Sequence, residues 1–275
     1  MGAEKEHGRR TSSRIRSRTG DPAGRKSIYN ERVSDSPRKR TRPEEGAEAP
    51  ASPGILYLVA TPIGNLGDVT LRAREVLARV DGVAAEDRRV TGRLLHELGI
   101  EARLLSYHDH NKERVTSRLL DRLEAGESLA LVTDAGTPGI SDPGFYLVRA
   151  AVERGLPVTS VPGPSAPVNA LVLSGLPTDT FVFWGYLPRK AGAARREMER
   201  MREEERTIVY FDSPHRVRKN LELLAEVLPG ARLALCREMT KRFEEVVRGS
   251  PAEVLEAFEG REIKGEVVVV LRDSA

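Results

Sequence analysis

From residue 55 onward the chain alternates short apolar runs with amphipathic stretches, and each apolar run ends in polar or glycine-rich residues. Short, strand-forming apolar runs separated by helical periodicity read as buried parallel strands with helical crossovers, because parallel neighbours cannot be joined by a tight hairpin. The class is α/β. Strands are expected at 55–60, 83–85, 104–107, 129–133 and 158–161, with helices at about 70–80, 112–125 and 145–154, and with 171–176 closing the first half. In the second of these helices Val115, Leu119, Leu120 and Leu123 recur at helical spacing.

The pattern changes near Thr178. Strands are expected at 181–185, 207–211, 233–237, 243–247 and 266–271, with helices near 191–204, 215–227 and 251–258. The strands at 233–237 and 243–247 are joined by a short link and must pair antiparallel, so this half holds a mixed sheet. The organisation expected is a basic tail over 1–53, a parallel-sheet α/β domain over 54–176 and a mixed-sheet α/β domain over 177–275. The tail is set apart by charge: residues 1–50 carry 13 Lys+Arg against 8 Asp+Glu, and the remainder carries 31 against 33. Its composition, rich in Arg, Ser, Gly, Pro and Glu, reads as disordered.

What is missing narrows the chemistry. No two of the 24 glycines are separated by a single residue, so the Gly-x-Gly nucleotide fingerprint of Rossmann-type enzymes is absent. Walker A, His-Glu-x-x-His and Gly-x-Ser-x-Gly patterns are absent too. Cys236 is the only cysteine and excludes an internal disulfide or a thiolate metal cage. No apolar run approaches the roughly 20 residues that a bilayer requires, and the amino terminus lacks the apolar stretch of a signal, so a soluble, cytoplasmic protein is expected. His108 and His110 flank Asp109 at a strand exit, but no third ligand follows at metal-binding spacing. A hydrogen-bonding or RNA-contacting role is favoured there, and no metal is expected.

The segment after the run at 129–133, Asp134-Ala-Gly-Thr-Pro-Gly-Ile-Ser-Asp-Pro-Gly144, is the strongest candidate site. Its glycines open conformations closed to other residues and its prolines stiffen the path, at the strand end where open α/β sheets bind ligands. Glu86 and Asp87, adjacent carboxylates at another strand end, are candidates for acid–base work. The alternative for Asp87 is to cap the next helix or to pair with Arg89. Basic residues crowd two regions, Arg72 to Arg93 and Arg189 to Lys219, and would form a polyanion track if they converged.

The motifs Leu58-Val-Ala-Thr-Pro-Ile-Gly-Asn-Leu66, Ala85-Glu-Asp87, His108-Asp-His-Asn111, Asp134-Ala-Gly-Thr-Pro138, Asp142-Pro-Gly144, Pro162-Gly-Pro-Ser-Ala166, Gly185-Tyr-Leu-Pro188, Ser213-Pro-His-Arg216, Arg237-Glu-Met-Thr-Lys241 and Lys264-Gly-Glu266 follow one another in order. Together they resemble the bacterial small-subunit ribosomal RNA (cytidine-2′-O)-methyltransferases of the tetrapyrrole-methylase superfamily. The resemblance covers residues 55 to 272. It implies the two-domain tetrapyrrole-methylase fold, S-adenosylmethionine as cofactor, a homodimer, and methylation of a cytidine ribose in the decoding centre of 16S rRNA within the small ribosomal subunit.

Carried over motif by motif, the resemblance assigns cofactor contacts to Asp134, Ala135, Gly136, Thr137, Pro138, Ser165, Ala166, Phe211, Asp212, Ser213, Glu238, Met239, Gly265 and Glu266. The substrate side would hold Thr61, Pro62, Gly64, Asn65, Arg89, His108, Asn111, Arg189, Lys190 and Arg216. Glu86, Asp87 and His110 are the candidates for taking the hydroxyl proton. The chain departs from the family's pattern at Arg88 and Val90, where threonine and histidine are usual, at Asp212, where glutamate is usual, and at Met239, where leucine is usual. The competing readings are a methylase acting on a porphyrinoid ring and a non-catalytic RNA-binding factor of ribosome assembly.

Overall fold

The computed structural model describes residues 52–142 and 144–273; the expected tail, apart from its last two residues, and Pro143 lie outside the described residues. The first half forms β1 (Leu56–Val59), α1 (Leu71–Leu77), β2 (Gly82–Ala85), α2 (Arg88–Glu97), β3 (Leu104–Ser106), α3 (Lys112–Glu124), β4 (Leu129–Val132), α4 (Gly144–Glu153) and β5 (Val158–Val161). All pairings in this sheet are parallel, in the order β3-β2-β4-β1-β5. The fully buried β2 and β4 are apolar throughout, as strands covered on both faces must be.

The strand order places the ligand crevice. After β1 the chain moves one way across the sheet, and after β4 it moves the other. With right-handed crossovers the helices then fall on opposite faces. Ala73 and Leu77 of α1 and Leu95 of α2 pack on one face, with Val59, Val83 and Val132. Leu119, Leu120 and Leu123 of α3 and Leu147 and Ala151 of α4 pack on the other, with Leu56, Ala84 and Leu131. The carboxyl ends of the adjacent strands β1 and β4 therefore form a topological switch point, where open sheets leave a crevice. The exits of these two strands are stitched together. Thr61 and Gly136 exchange backbone hydrogen bonds of 2.9 and 3.1 Å, and the Thr61 hydroxyl donates to the Thr133 carbonyl at 3.1 Å.

The second half comprises α5 (Ala166–Ser174), β6 (Phe181–Tyr186), α6 (Ala191–Met201), β7 (Thr207–Asp212), α7 (Val217–Val227), β8 (Arg232–Arg237), β9 (Glu245–Gly249), α8 (Pro251–Ala257) and β10 (Val267–Arg272). Its sheet, β6-β7-β10-β8-β9, is mixed: β6 and β7 pair in parallel and the other pairs are antiparallel. Alternate residues serve two faces. Ile208, Tyr210, Leu233, Leu235 and Val269 meet α6, α7 and α8, while Val209, Ala234, Cys236, Val268 and Val270 meet Ala170 and Leu171 of α5. Cys236 is fully buried there, and burial pushes its thiol up to about 11, which leaves it unreactive.

Two details depart from the sequence expectation. Helix α5 contains most of the stretch expected to close the first half, yet it packs on the second sheet, and Arg248 of β9 donates to the Leu173 and Ser174 carbonyls at its end. Strand β9 starts at Glu245 rather than at residue 243. A compact turn, in which the Lys241 amide donates to the Glu238 carbonyl and the Glu244 amide to the Lys241 carbonyl, occupies the intervening residues. Among the described residues no helix is long and apolar enough to cross a membrane.

Candidate functional site

The loop after β4 is held by a half-buried carboxylate. One Asp142 oxygen accepts from the amides of Gly139 at 2.7 Å and Gly144 at 2.9 Å. Burial pushes this carboxyl above the ordinary aspartate value against the pull of those amides. Gly136 and Gly139 lie at φ of +84° and +91°, so the turn needs residues without a Cβ. Ser141 adopts +64° without that freedom. The Thr137 hydroxyl ties the loop to the Pro164 carbonyl at 3.1 Å, just ahead of α5.

Opposite stands the segment 237–241 of the second half. Glu238 and Thr240 both lie in the left-handed region, at φ of 51° and 66°. Non-glycine residues held there cost on the order of 1–3 kcal/mol each, and such strain persists where surroundings over-determine it. Here they do. The Glu238 carboxylate accepts from the Glu266 amide at 3.1 Å and from Lys241 Nζ at 2.9 Å, while Lys241 also reaches Glu266 at 3.1 Å. A Cβ on Gly265 would fall 2.2 Å from Glu238 Oε1, so a glycine is required for this approach. Burial pushes the Glu238 carboxyl up, but the Lys241 and Glu266 hydrogen bonds and nearby positive charge outweigh it and hold the group below its ordinary value.

Between these walls lies a cleft of about 600 Å³. The first half contributes Glu86, Thr133, Ala135–Thr137 and Ile140–Asp142; Ser165–Pro167 follow, and the second half contributes Tyr186, 211–214, Glu238, Met239, Lys241 and 265–268. Phe211 stacks edge-on to Phe183 at 5.1 Å and lies 5.2 Å from Tyr186, giving one side an aromatic surface. Asp212 is buried, accepts from Asn220 Nδ2 at 2.9 and 2.8 Å and from the Ser213 amide, and is raised by burial. Among the described residues that line the cleft, Glu86, Asp142, Asp212, Glu238 and Glu266 carry carboxylates and Lys241 alone carries an ammonium, which Glu238 and Glu266 hold. The chamber thus suits a ligand with a flat ring and positive charge.

A second groove, about 520 Å³, adjoins the first. Thr61–Gly64 and Leu66 form one wall, Val90, Thr91, Arg93, Leu94 and Glu97 of α2 form the other, and the exposed Asp134 borders it. Ile63, Thr133, Ala135, Lys241 and Glu266 border both spaces.

The structure brings most of the expected cofactor set together: Ala135, Gly136, Thr137, Ser165, Ala166, Phe211, Asp212, Ser213, Glu238, Met239, Gly265 and Glu266 all line the first cleft. Pro138 is buried behind the loop, and Asp134 faces the second groove, where its carboxylate accepts from the Asp87 amide at 3.0 Å. Thr61, Pro62 and Gly64 line that groove. Asn65 instead caps the turn Leu66–Asp68 by accepting from the Gly67 amide.

The other expected residues lie away from both spaces. Asn111 closes the turn before α3: it accepts from the His108 amide at 2.9 Å and donates to the Ser106 carbonyl at 3.1 Å. His108 Nδ1 is buried without a partner among the described residues, and His110 sits edge-on to that ring at 5.9 Å. Arg216 donates to the Leu187 and Pro188 carbonyls, and Arg189 and Lys190 are exposed ahead of α6. Among the candidate proton acceptors only Glu86 reaches the first cleft, with Oε2 taking the Thr133 hydroxyl at 2.8 Å. Asp87 caps α2 and pairs with Arg89, whose hydrogen bonds hold its carboxyl down at about 2. Such a carboxylate is a weak proton acceptor. Lys241, Asp142 and Tyr186 were absent from the expected set, although all three fall inside the quoted motifs.

The profile of the Tetrapyrrole (Corrin/Porphyrin) Methylases matches residues 55–255. A protein of Halalkalibacterium halodurans named ribosomal RNA small subunit methyltransferase I is 45% identical over 218 residues, covering 79% of this chain and 75% of its own. One of the same name from Micromonospora olivasterospora is 48% identical, covering 82% and 72%. A solved structure of uroporphyrin-III C-methyl transferase from Thermus thermophilus, complexed with S-adenyl homocysteine, shares the fold at a TM-score of 0.55 and 20% identity, covering 80% of this chain and 97% of its own.

Proposed function

As the chain belongs to the tetrapyrrole methylase family and, within it, to the ribosomal RNA small subunit methyltransferases I, we propose that it methylates the 2′-hydroxyl of a decoding-centre cytidine in 16S rRNA, using S-adenosylmethionine. The observation that carries the reading is the acidic, aromatic-sided cleft between the two halves, joined through shared walls to a second groove. Two adjoining spaces are what a transfer between two bound molecules requires.

S-adenosylmethionine, when bound, supplies a methyl group made electrophilic by its sulfonium. The residues present fit it: five carboxylates against one ammonium favour a cationic ligand, and Phe211 and Tyr186 offer a face to its purine. Backbone at 135–137, Ser165, Ala166 and the segments 211–213, 238–239 and 265–266 would hold it. Asp134 and Pro138 would act on this site through the shape of the loop. Glu86, which lines the cleft and accepts from the Thr133 hydroxyl, would take the proton that the ribose hydroxyl loses.

A homodimer is part of this proposal. Strand β5 is an edge of the first sheet, and α5, which follows it, exposes Val168 and Val172 by 49% and 63%. An RNA substrate in small subunits also implies a cytoplasmic location.

The test uses purified small subunits and S-adenosylmethionine with a labelled methyl group. Label is expected in 16S rRNA on one cytidine ribose, and Glu86→Gln should slow transfer by about 10²-fold if general-base help is worth its usual amount. Label on a base, or none in 16S rRNA, would refute the reading. Transfer to a porphyrinoid ring instead would favour the tetrapyrrole alternative.

A further inference from the structure

Lys241 occupies an unusual position. Its ammonium is held by Glu238 and Glu266 over the first cleft, while its stem runs along the loop 61–66, so close that a Cβ on Gly64 would fall 2.4 Å from Lys241 Cγ. It borders both the first cleft and the second groove, and its side chain is 27% exposed. Beside it, the Thr240 hydroxyl is buried without a partner among the described residues, 3.0 Å from that same Cβ position.

The second groove offers a nucleotide both apolar and polar surface, the latter including the Glu97 and Asp134 carboxylates. Leu66, Val90 and Leu94 line it with apolar side chains that can lie against a base, and Pro62 joins them. Arg93, exposed at its border, supplies a positive charge for a phosphate. Unstacked RNA bases are recognised in pockets of this kind, by packing against their faces and by hydrogen bonds to their edges. The groove shares Ile63, Thr133, Ala135, Lys241 and Glu266 with the first cleft, so a nucleotide lying there borders both spaces.

We propose that the groove between the loop 61–66 and helix α2 receives the acceptor nucleotide of the RNA, and that Lys241 is a positioning residue which sets how far its ribose reaches into the first cleft. The proposal rests on the RNA-methylation reading above. It separates two roles: residues of α2 govern whether RNA binds productively, and Lys241 governs the alignment of what has bound.

The experiment compares wild type with Val90→Trp, Lys241→Met and Lys241→Arg, using purified small subunits as acceptor and calorimetry with S-adenosylmethionine alone. Val90 is 43% exposed, so tryptophan there fills the groove without entering the core. Val90→Trp should leave the cofactor Kd within about twofold while raising KM for subunits about tenfold or more. Lys241→Met should lower kcat about tenfold with KM for subunits within about threefold, and Lys241→Arg should recover part of that loss. Normal kinetics for Val90→Trp would overturn the groove assignment. A Lys241→Met defect confined to KM, or one that Lys241→Arg does not relieve, would overturn the role of Lys241. A wild type that binds the cofactor but labels no 16S rRNA defeats the RNA reading itself, and this proposal with it.

Discussion

The loop 134–144 and the segment 237–241 border the same cleft by opposite means. The loop places backbone, with glycines at positive φ and a half-buried carboxylate, Asp142, that holds two of its amides. The segment places charged side chains, and its own backbone is strained at Glu238 and Thr240 to do so. Burial raises the Asp142 carboxyl, whereas hydrogen bonds and positive charge hold Glu238 low despite its burial. A cleft built this way has one wall that fixes shape and another that fixes charge.

The largest expected effect comes from removing the acceptor that organises the loop. Asp142→Ala strands two amides and should cost about 2–4 kcal/mol in denaturant unfolding, while Asp142→Asn, which keeps an acceptor oxygen, should stay within about 1 kcal/mol of wild type. Equal losses in the two variants would show that charge, not acceptor geometry, holds this wall. Next, Gly265→Ala should cost about 1–3 kcal/mol, because it adds a side chain at φ +84° and pushes Glu238 from Lys241. An unchanged stability would mean that the opposite wall is not strained at all.

The smallest effect sharpens the contrast through pH. A carboxyl lowered in the folded state, as Glu238 is, contributes stability above its ordinary value of 4.5 and loses it as pH falls through the lowered one. A raised carboxyl such as Asp142 behaves in reverse, contributing below 3.8 and losing that as pH rises. The stability gap between wild type and Glu238→Gln should therefore shrink as pH drops below 4.5, by under about 1 kcal/mol given solvent screening. Unfolding curves at stepped pH would detect it, and a gap that widened on acidification would contradict the ion-pair account.

Much of this was legible from local pattern. The apolar run at 129–133 and the helical spacing of Val115, Leu119, Leu120 and Leu123 correspond to β4 and α3, because burial on a sheet or helix face repeats at short range. The glycine-proline loop was legible because positive φ and rigid turns demand particular residues. Asp87 was ambiguous between proton acceptor and helix cap, since a carboxylate at a strand end looks alike in either role until its partner is known. Lys241 is illegible in the sequence for the same reason: its meaning lies in Gly64, Glu238 and Glu266, and spacing along the chain carries no trace of their meeting.

The sequence by itself determined the α/β class, the parallel and mixed sheets, the glycine-proline loop after β4 and the family, since each depends on periodicity or on motifs read in order. Only the tertiary structure decided that α5 covers the second sheet, that Glu86 rather than Asp87 or His110 faces the cleft, and that Lys241 stands between two spaces. Those facts depend on how distant segments pack, and packing answers to the shape and charge of partners that lie far apart in the chain.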